Sequence, residues 1–206
     1  MRLTDRGPAK DRSDPPFDIV AIAASAGGVH ALTDVLRRLP ADIGVIVVCV
    51  QHLDPRHRSL MPEIMGRRSS LPVAHAEDGK HLEPGHVYLA PPDRHLLVNR
   101  DGTISLTQTE LVNFVRPSAD LLFESVAAAY GERAIAVVLT GAGKDGSMGV
   151  TAIKARGGTV IAQDESSSEF FSMPSAAIKT GAVDFVLSLD EIPGALATLI
   201  AGEVKD

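Results

Sequence analysis

Cys49 is the only cysteine in the chain, so an internal disulfide is excluded. It falls inside the apolar run IVVCV, which predicts a buried, unreactive thiol and suits a reducing cytoplasm. A transmembrane span and a secretory signal are both missing, so no direct membrane insertion and no export are expected. The first 16 residues, MRLTDRGPAKDRSDPP, are charged and proline-containing without an apolar stretch, and read as a flexible leader. Positive charge is in deficit, with 20 Lys+Arg against 26 Asp+Glu and a formal net charge of −6. That balance argues against nucleic acid as a partner, because such affinity depends on clustered cations. His52, His57, His75, His81, His86 and His95 are scattered without HExxH or paired-cysteine spacing, so no metal is expected. Neither the three-glycine dinucleotide fingerprint nor a Lys-Ser/Thr phosphate loop is present, which leaves no cofactor site to predict and disfavours a nucleotide-binding domain.

What remains is an ordinary globular composition, 45% apolar and 22% charged over 206 residues. That length suits one domain with a substantial core, assigned here to residues 17–206. The chain is organised around residues 19–28, IVAIAASAGG: an apolar run, a serine at its tip and two glycines before an apolar-periodic segment. This predicts strand, tight turn and helix start, with Ser25 on the turn. From residue 28 a helix is expected to about Arg38, with Leu32, Val35 and Leu36 facing the core and Pro40 ending it. Residues 43–50 form a continuous apolar run, the mark of a strand covered on both faces, and it ends in Gln51-His52.

Residues 53–70 carry a basic helix-like stretch with Leu60, Ile64 and Met65 as its apolar side. Short strands are expected at 72–74 and 87–90. Residues 96–98 and 103–107 read as a β-hairpin, an antiparallel addition at one side of the sheet. Ser118 is the expected N-cap of a helix burying Leu121, Leu122, Val126 and Ala129. The buried strand predicted at 134–140 runs into GAGKDG, which puts Asp145 just past its end. Helix to about residue 155, strand 159–163, helix 174–180, strand 183–187 and a last helix from about Ile192 complete the alternation. The predicted fold is a three-layer α/β/α, doubly wound domain with a mainly parallel sheet.

In such a sheet the carboxyl ends of all strands lie on one side, where ligands bind. Ser25, His52 and Asp145 each fall near such an end. A serine nucleophile needs a base and a carboxylate to orient that base, and these three residue types supply those roles. Each has a bland alternative: a helix cap for Ser25, an imidazole satisfying a backbone carbonyl for His52, and a turn or N-cap carboxylate before the next helix for Asp145.

Seven segments in order carry a family resemblance: ASAGG at 24–28, QHLDP at 51–55, AEDG at 76–79, LAPPDRH at 89–95, RPSADLLFESVA at 116–127, LTGAGKDGSMG at 139–149, and IAQDESSSEFFSMPSAAIKTGAVD at 161–184. Together they resemble the catalytic domain of CheB-type chemotaxis protein-glutamate methylesterases, over roughly residues 17–193. The resemblance implies Ser25 as nucleophile, His52 as general base and Asp145 as the orienting carboxylate. It implies hydrolysis of glutamyl γ-methyl esters on cytoplasmic chemoreceptor helices, with deamidation of receptor glutamines as a companion activity. Backbone N–H groups near Ala26 and Ala142 are the oxyanion-hole candidates.

Two departures stand beside the nucleophile: Ala26 where the family often has Thr, and Ala142 where it often has Met. The family usually places a receiver domain before the esterase, whereas about 16 residues precede it here. If these residues are the whole protein, a site that is always on or one controlled by a separate regulator or receiver-domain protein is expected. QHLDP also resembles esterase domains found beside methyltransferase modules. The alternative function is a non-catalytic or altered-specificity docking module in a sensory complex. Arg56, Arg58, Arg67, Arg68, Arg94, Arg116 and Lys144 are candidates for meeting an acidic receptor helix, or simply a solvated basic face.

Overall fold

The computed structural model describes residues 16–53 and 59–202. The 1–16 leader, but for Pro16, lies outside the described residues, as do Arg56, His57 and Arg58. The apolar runs become the strands of a seven-stranded, fully parallel sheet. Its strands are β1 (Ile19–Ala24), β2 (Ile46–Gln51), β3 (Val73–His75), β4 (Val87–Leu89), β7 (Ala134–Val138), β8 (Thr159–Gln163) and β9 (Phe185–Leu187). Their order is β3-β4-β2-β1-β7-β8-β9. β1 is thus flanked by β2 on one side and β7 on the other, the position where the direction of winding reverses.

Strand alternation assigns the two faces. Ile19, Ala21 and Ala23 join one core with Leu122, Phe123, Val126, Val150, Ile153, Met173 and Ala177. Those residues come from α3 (Ala119–Tyr130), α4 (Ser147–Ala155) and α5 (Ser172–Lys179). Val20, Ile22 and Ala24 join the other core with Leu32, Leu36, Met61, Met65, Ile192 and Leu196. These lie on α1 (Gly28–Arg38), α2 (Met61–Gly66) and α6 (Ile192–Ala201). Two-residue periodicity in fully buried strands is what lets one sheet serve two helical layers.

Three expectations need correction. The hairpin of β5 (His95–Val98) and β6 (Ile104–Thr107) is a separate two-stranded sheet and adds no strand to the main one. Leu96, Val98 and Ile104 pack into the α3 core instead, because side-chain burial on that layer satisfies the hairpin without edge pairing. The helix predicted within 53–70 is only six residues, and Met61 and Met65 are its buried pair while Leu60 and Ile64 are exposed. One helical turn of separation puts Met61 and Met65 together on the sheet side, and Leu60 and Ile64 fall on the neighbouring stripe. In α3, Phe123 takes a core position, and Leu121 is only partly buried.

Candidate active site

The site starts from the paired ends of β1 and β2. Ala24 and Gln51 are register partners, so Ser25 and His52 are the next residues along two adjacent strands. The His52 amide donates to the Ala24 carbonyl at 3.1 Å, and the Ser25 amide to the Thr140 carbonyl at 3.1 Å. Neighbouring strands run about 4.8 Å apart, which fixes the scale of the separation between the two backbones. Ser25 and His52 also continue the series 19, 21, 23 and 46, 48, 50, whose side chains face the α3–α4 layer. The loop after β7 delivers Asp145 from that same layer.

His52 Nε2 and Asp145 Oδ2 are 2.9 Å apart. With Nε2 engaged by the carboxylate, Nδ1 is the ring nitrogen left for proton transfer. Asp145 is 3% exposed and heavily bonded. Its Oδ2 also accepts from the Ala119 amide at 2.6 Å; its Oδ1 accepts from the Ser118 hydroxyl at 2.9 Å, the Asn113 amide at 3.2 Å and the Asp120 N–H at 3.3 Å. Burial alone would push this carboxyl up, but the bond to His52, the Ala119 N–H and the Ser118 hydroxyl outweigh it and hold Asp145 below the usual aspartate range.

The bland alternatives can now be judged. Asp145 does cap a helix, but it is α3, 26 positions back in sequence, and not the α4 that follows it. Ser25 does not cap α1: the N-cap is Gly27, with no side-chain bond to the helix. His52 bonds a carboxylate and not a carbonyl.

Several residues that sequence reasoning missed complete the site. Gln51 Nε2 donates to the Ser25 carbonyl at 2.8 Å and to the His52 carbonyl at 3.0 Å, bridging the two strand ends. Its Oε1 is buried with no hydrogen-bond partner among the described residues. Gly28 makes room for this amide, since a Cβ there would lie 2.2 Å from Gln51 Oε1 and 2.6 Å from the Ala24 Cβ. A polar residue closing an otherwise apolar buried strand was the available signal. Gly141, after β7, is equally confined: a Cβ would lie 2.9 Å from the Ser25 Cβ and 2.3 Å from Met173 Sδ.

Asp120 is the other buried carboxylate of the site, accepting at Oδ1 from the Met148 and Gly149 amides of α4 at 2.9 and 2.8 Å. Burial pushes it above the usual aspartate range, and the nearby Asp145 charge adds to this. Asn113 Nδ2 spans the two carboxylates, 2.8 Å from Asp120 Oδ2. Helices α3 and α4 therefore exchange caps, each supplying or adjoining the carboxylate that closes the other. His95, completely buried, accepts from the Ser118 amide at Nδ1 (3.1 Å) and donates from Nε2 to the Glu110 carbonyl (3.0 Å), fixing the start of α3.

A cavity of about 290 Å³ opens over His52 and Asp145, walled by Asn113, Phe114, Val115, Ala142, Gly143 and Lys144. Ala142 thus faces the same space as the imidazole, whereas Ala26 lies on the turn after Ser25 with its carbonyl 3.2 Å from the Thr140 hydroxyl. Of the basic rim candidates, Arg116 is committed to Asp93 at 2.6 Å and to the Thr109 carbonyl. Arg68 lines a separate groove with His30 and Ile64 beside α1. Cys49 is fully buried, and burial pushes its thiol far up, as the apolar run predicted. Among the described residues no helix is long and apolar enough to cross a membrane.

The CheB methylesterase family model matches residues 20–196. A Leptospira interrogans relative is 39% identical over 176 residues, covering 85% of this chain and 91% of its own. A Burkholderia lata protein named protein-glutamate methylesterase/protein-glutamine glutaminase 2 is 40% identical over 204 residues, covering 99% of this chain, which spans 60% of that relative's length. The crystal structure of the Thermotoga maritima CheB methylesterase catalytic domain superposes with a TM-score of 0.86 at 37% identity, covering 89% of this chain and 99% of that one. On a family match over most of its length, and relatives this similar, the chain belongs to the CheB methylesterase family.

Proposed function

We propose that this chain is a serine hydrolase that demethylates glutamate γ-methyl esters on the cytoplasmic helices of chemoreceptors and also deamidates receptor glutamines. Its relatives are named for both activities. The observation that carries the reading is the pairing of His52 with a buried, ionised Asp145 at the strand end next in register to Ser25. In the reaction, Ser25 Oγ attacks the γ-carbonyl carbon while His52 Nδ1 takes the hydroxyl proton. Asp145 holds the other ring nitrogen and stabilises the imidazolium that forms. The tetrahedral intermediate collapses as the C–O bond to methoxide breaks, and His52 returns its proton to give methanol. Water, deprotonated by His52, then cleaves the acyl-serine to leave glutamate. With glutamine the leaving group is ammonia.

The uncapped start of α1 after Ser25 and the loop carrying Ala142 are the oxyanion-binding candidates, since backbone N–H groups aimed at developing charge stabilise it most. Ala26 and Ala142 leave that backbone in place while clearing side chains from its surroundings. The test is methanol release from a purified methylated receptor fragment, with mass spectrometry of the modified sites. Wild type is expected to release methanol and Ser25→Ala to lose about 10⁴-fold in rate or more. Near-wild-type turnover by the Ser25 variant would reject the nucleophile, and receptor binding without methanol release would favour a docking module.

A further inference from the structure

We infer that Phe114 is a specificity-determining residue that grips an apolar side chain of the substrate helix beside the esterified glutamate. The inference rests on the esterase reading above and adds to it the feature of the substrate that is recognised. Val112 and Val115 exchange both backbone hydrogen bonds, at 3.2 and 3.0 Å, closing a two-residue turn with Asn113 and Phe114 at its centre. Both central residues are left-handed, at φ 51° and 65°. Such a turn favours Asn followed by Gly, and an aromatic residue in the second place is conformationally disfavoured. Burial does not compensate, for Phe114 is 92% exposed. Neither backbone preference nor core packing accounts for the ring.

Its location does. Asn113, the other half of the turn, is bonded to both Asp145 and Asp120, so the turn is fastened to the carboxylate that orients His52. Phe114 lines the cavity that holds His52 and Asp145, as does Lys144. Leu111, three residues before it, and Met148, whose amide bonds Asp120, are also exposed, at 55% and 65%. An amphipathic, glutamate-rich helix fits this arrangement. Its esterified side chain enters the cavity, neighbouring carboxylates meet Lys144, and an apolar residue three or four positions away, on the same helical face, covers the ring.

The test uses two synthetic helical peptides with one glutamate γ-methyl ester, bearing Leu or Ser at the flanking positions three and four residues away. Wild type is expected to show a KM about tenfold lower for the Leu peptide, an effect typical of one well-packed aromatic contact. Phe114→Gly should raise the KM for the Leu peptide about tenfold with kcat held within about twofold, and Phe114→Leu should recover most of the loss. Glycine accepts the left-handed backbone, so its thermal midpoint should not fall. An unchanged KM in Phe114→Gly, or a joint fall of kcat and thermal midpoint, would overturn the inference. Calorimetric binding of the same peptides with the ester replaced by glutamate separates the two readings. Binding that depends on Phe114, in an enzyme that releases no methanol, would uphold the grip and reject the esterase.

Discussion

Helix starts close on the candidate site from both faces of the sheet, and they are finished differently. On the α3–α4 side the first N–H groups are satisfied by carboxylates, those of α3 by Asp145 and those of α4 by Asp120. On the other side α1 begins at Gly28, three residues after Ser25, behind a left-handed Gly27 and with no side chain capping it. The difference separates two duties. The carboxylate half is built into the packing of two helices, so orienting His52 and holding the fold are one task. The Ser25 half leaves the positive end of a helix without a side-chain cap, where, in the proposed reaction, negative charge developing on a substrate oxygen would be stabilised.

The largest effects are expected at Asp145 and Ser25. Asp145→Ala should reduce methanol release by about 10⁴-fold, matching the loss for Ser25→Ala. In stability the two should part: about 3 kcal/mol lost for Asp145→Ala, which strands several buried donors, and within about 0.5 kcal/mol of wild type for Ser25→Ala. Equal stability losses by urea unfolding would show that the Ser25 turn is as structural as the Asp145 loop.

An intermediate effect is expected at Gly28. Its substitution by alanine places a methyl against Gln51 Oε1 and Ala24, costing about 2 kcal/mol by overpacking. The displaced amide loses its hold on the Ser25 and His52 carbonyls, and kcat should drop about 10²-fold. An unaltered kcat with a lowered thermal midpoint would limit Gln51 to a packing role.

The smallest effect separates Asp145 from Asp120, the carboxylates that close α3 and α4. Asp145 is depressed, so its contribution to stability is present above the ordinary aspartate range and is lost as pH falls through its lower folded value. Asp120 is raised, chiefly by burial and then by Asp145, so its contribution is largest in acid and is lost as pH rises through its elevated folded value. Asp120→Asn should therefore cost about 1 kcal/mol near pH 4, as a weakened helix cap, and less at pH 7. Urea midpoints at the two pH values check the sign; a cost that grows toward neutrality would reverse the assignment.

Much of this was legible because it is local. The run ending at Ser25 became β1, and the 3.6-residue spacing after Gly28 became α1 with the expected end at Arg38. Ser118 was readable as an N-cap from its position after a proline, and its hydroxyl does accept from the Leu121 amide. The hairpin was legible as a hairpin but not in its placement, because strand alternation says which face is apolar and not which layer will cover it. Asn113 and Gln51 gave weak signals for the same reason. Their amides act on groups that sequence neighbours do not contain.

By itself the sequence determined which apolar runs become parallel strands, to within one or two residues at their ends, and that Ser25 and His52 directly follow two of them, since apolar runs and turn chemistry act over a few residues. Only the tertiary structure decided that Asp145 caps α3, that it holds Nε2 of an imidazole 93 positions earlier, and that Phe114 stands exposed above them. Those outcomes depend on two helices packing against one face of the sheet, and a hydrogen bond between distant residues forms only after that packing has brought donor and acceptor together.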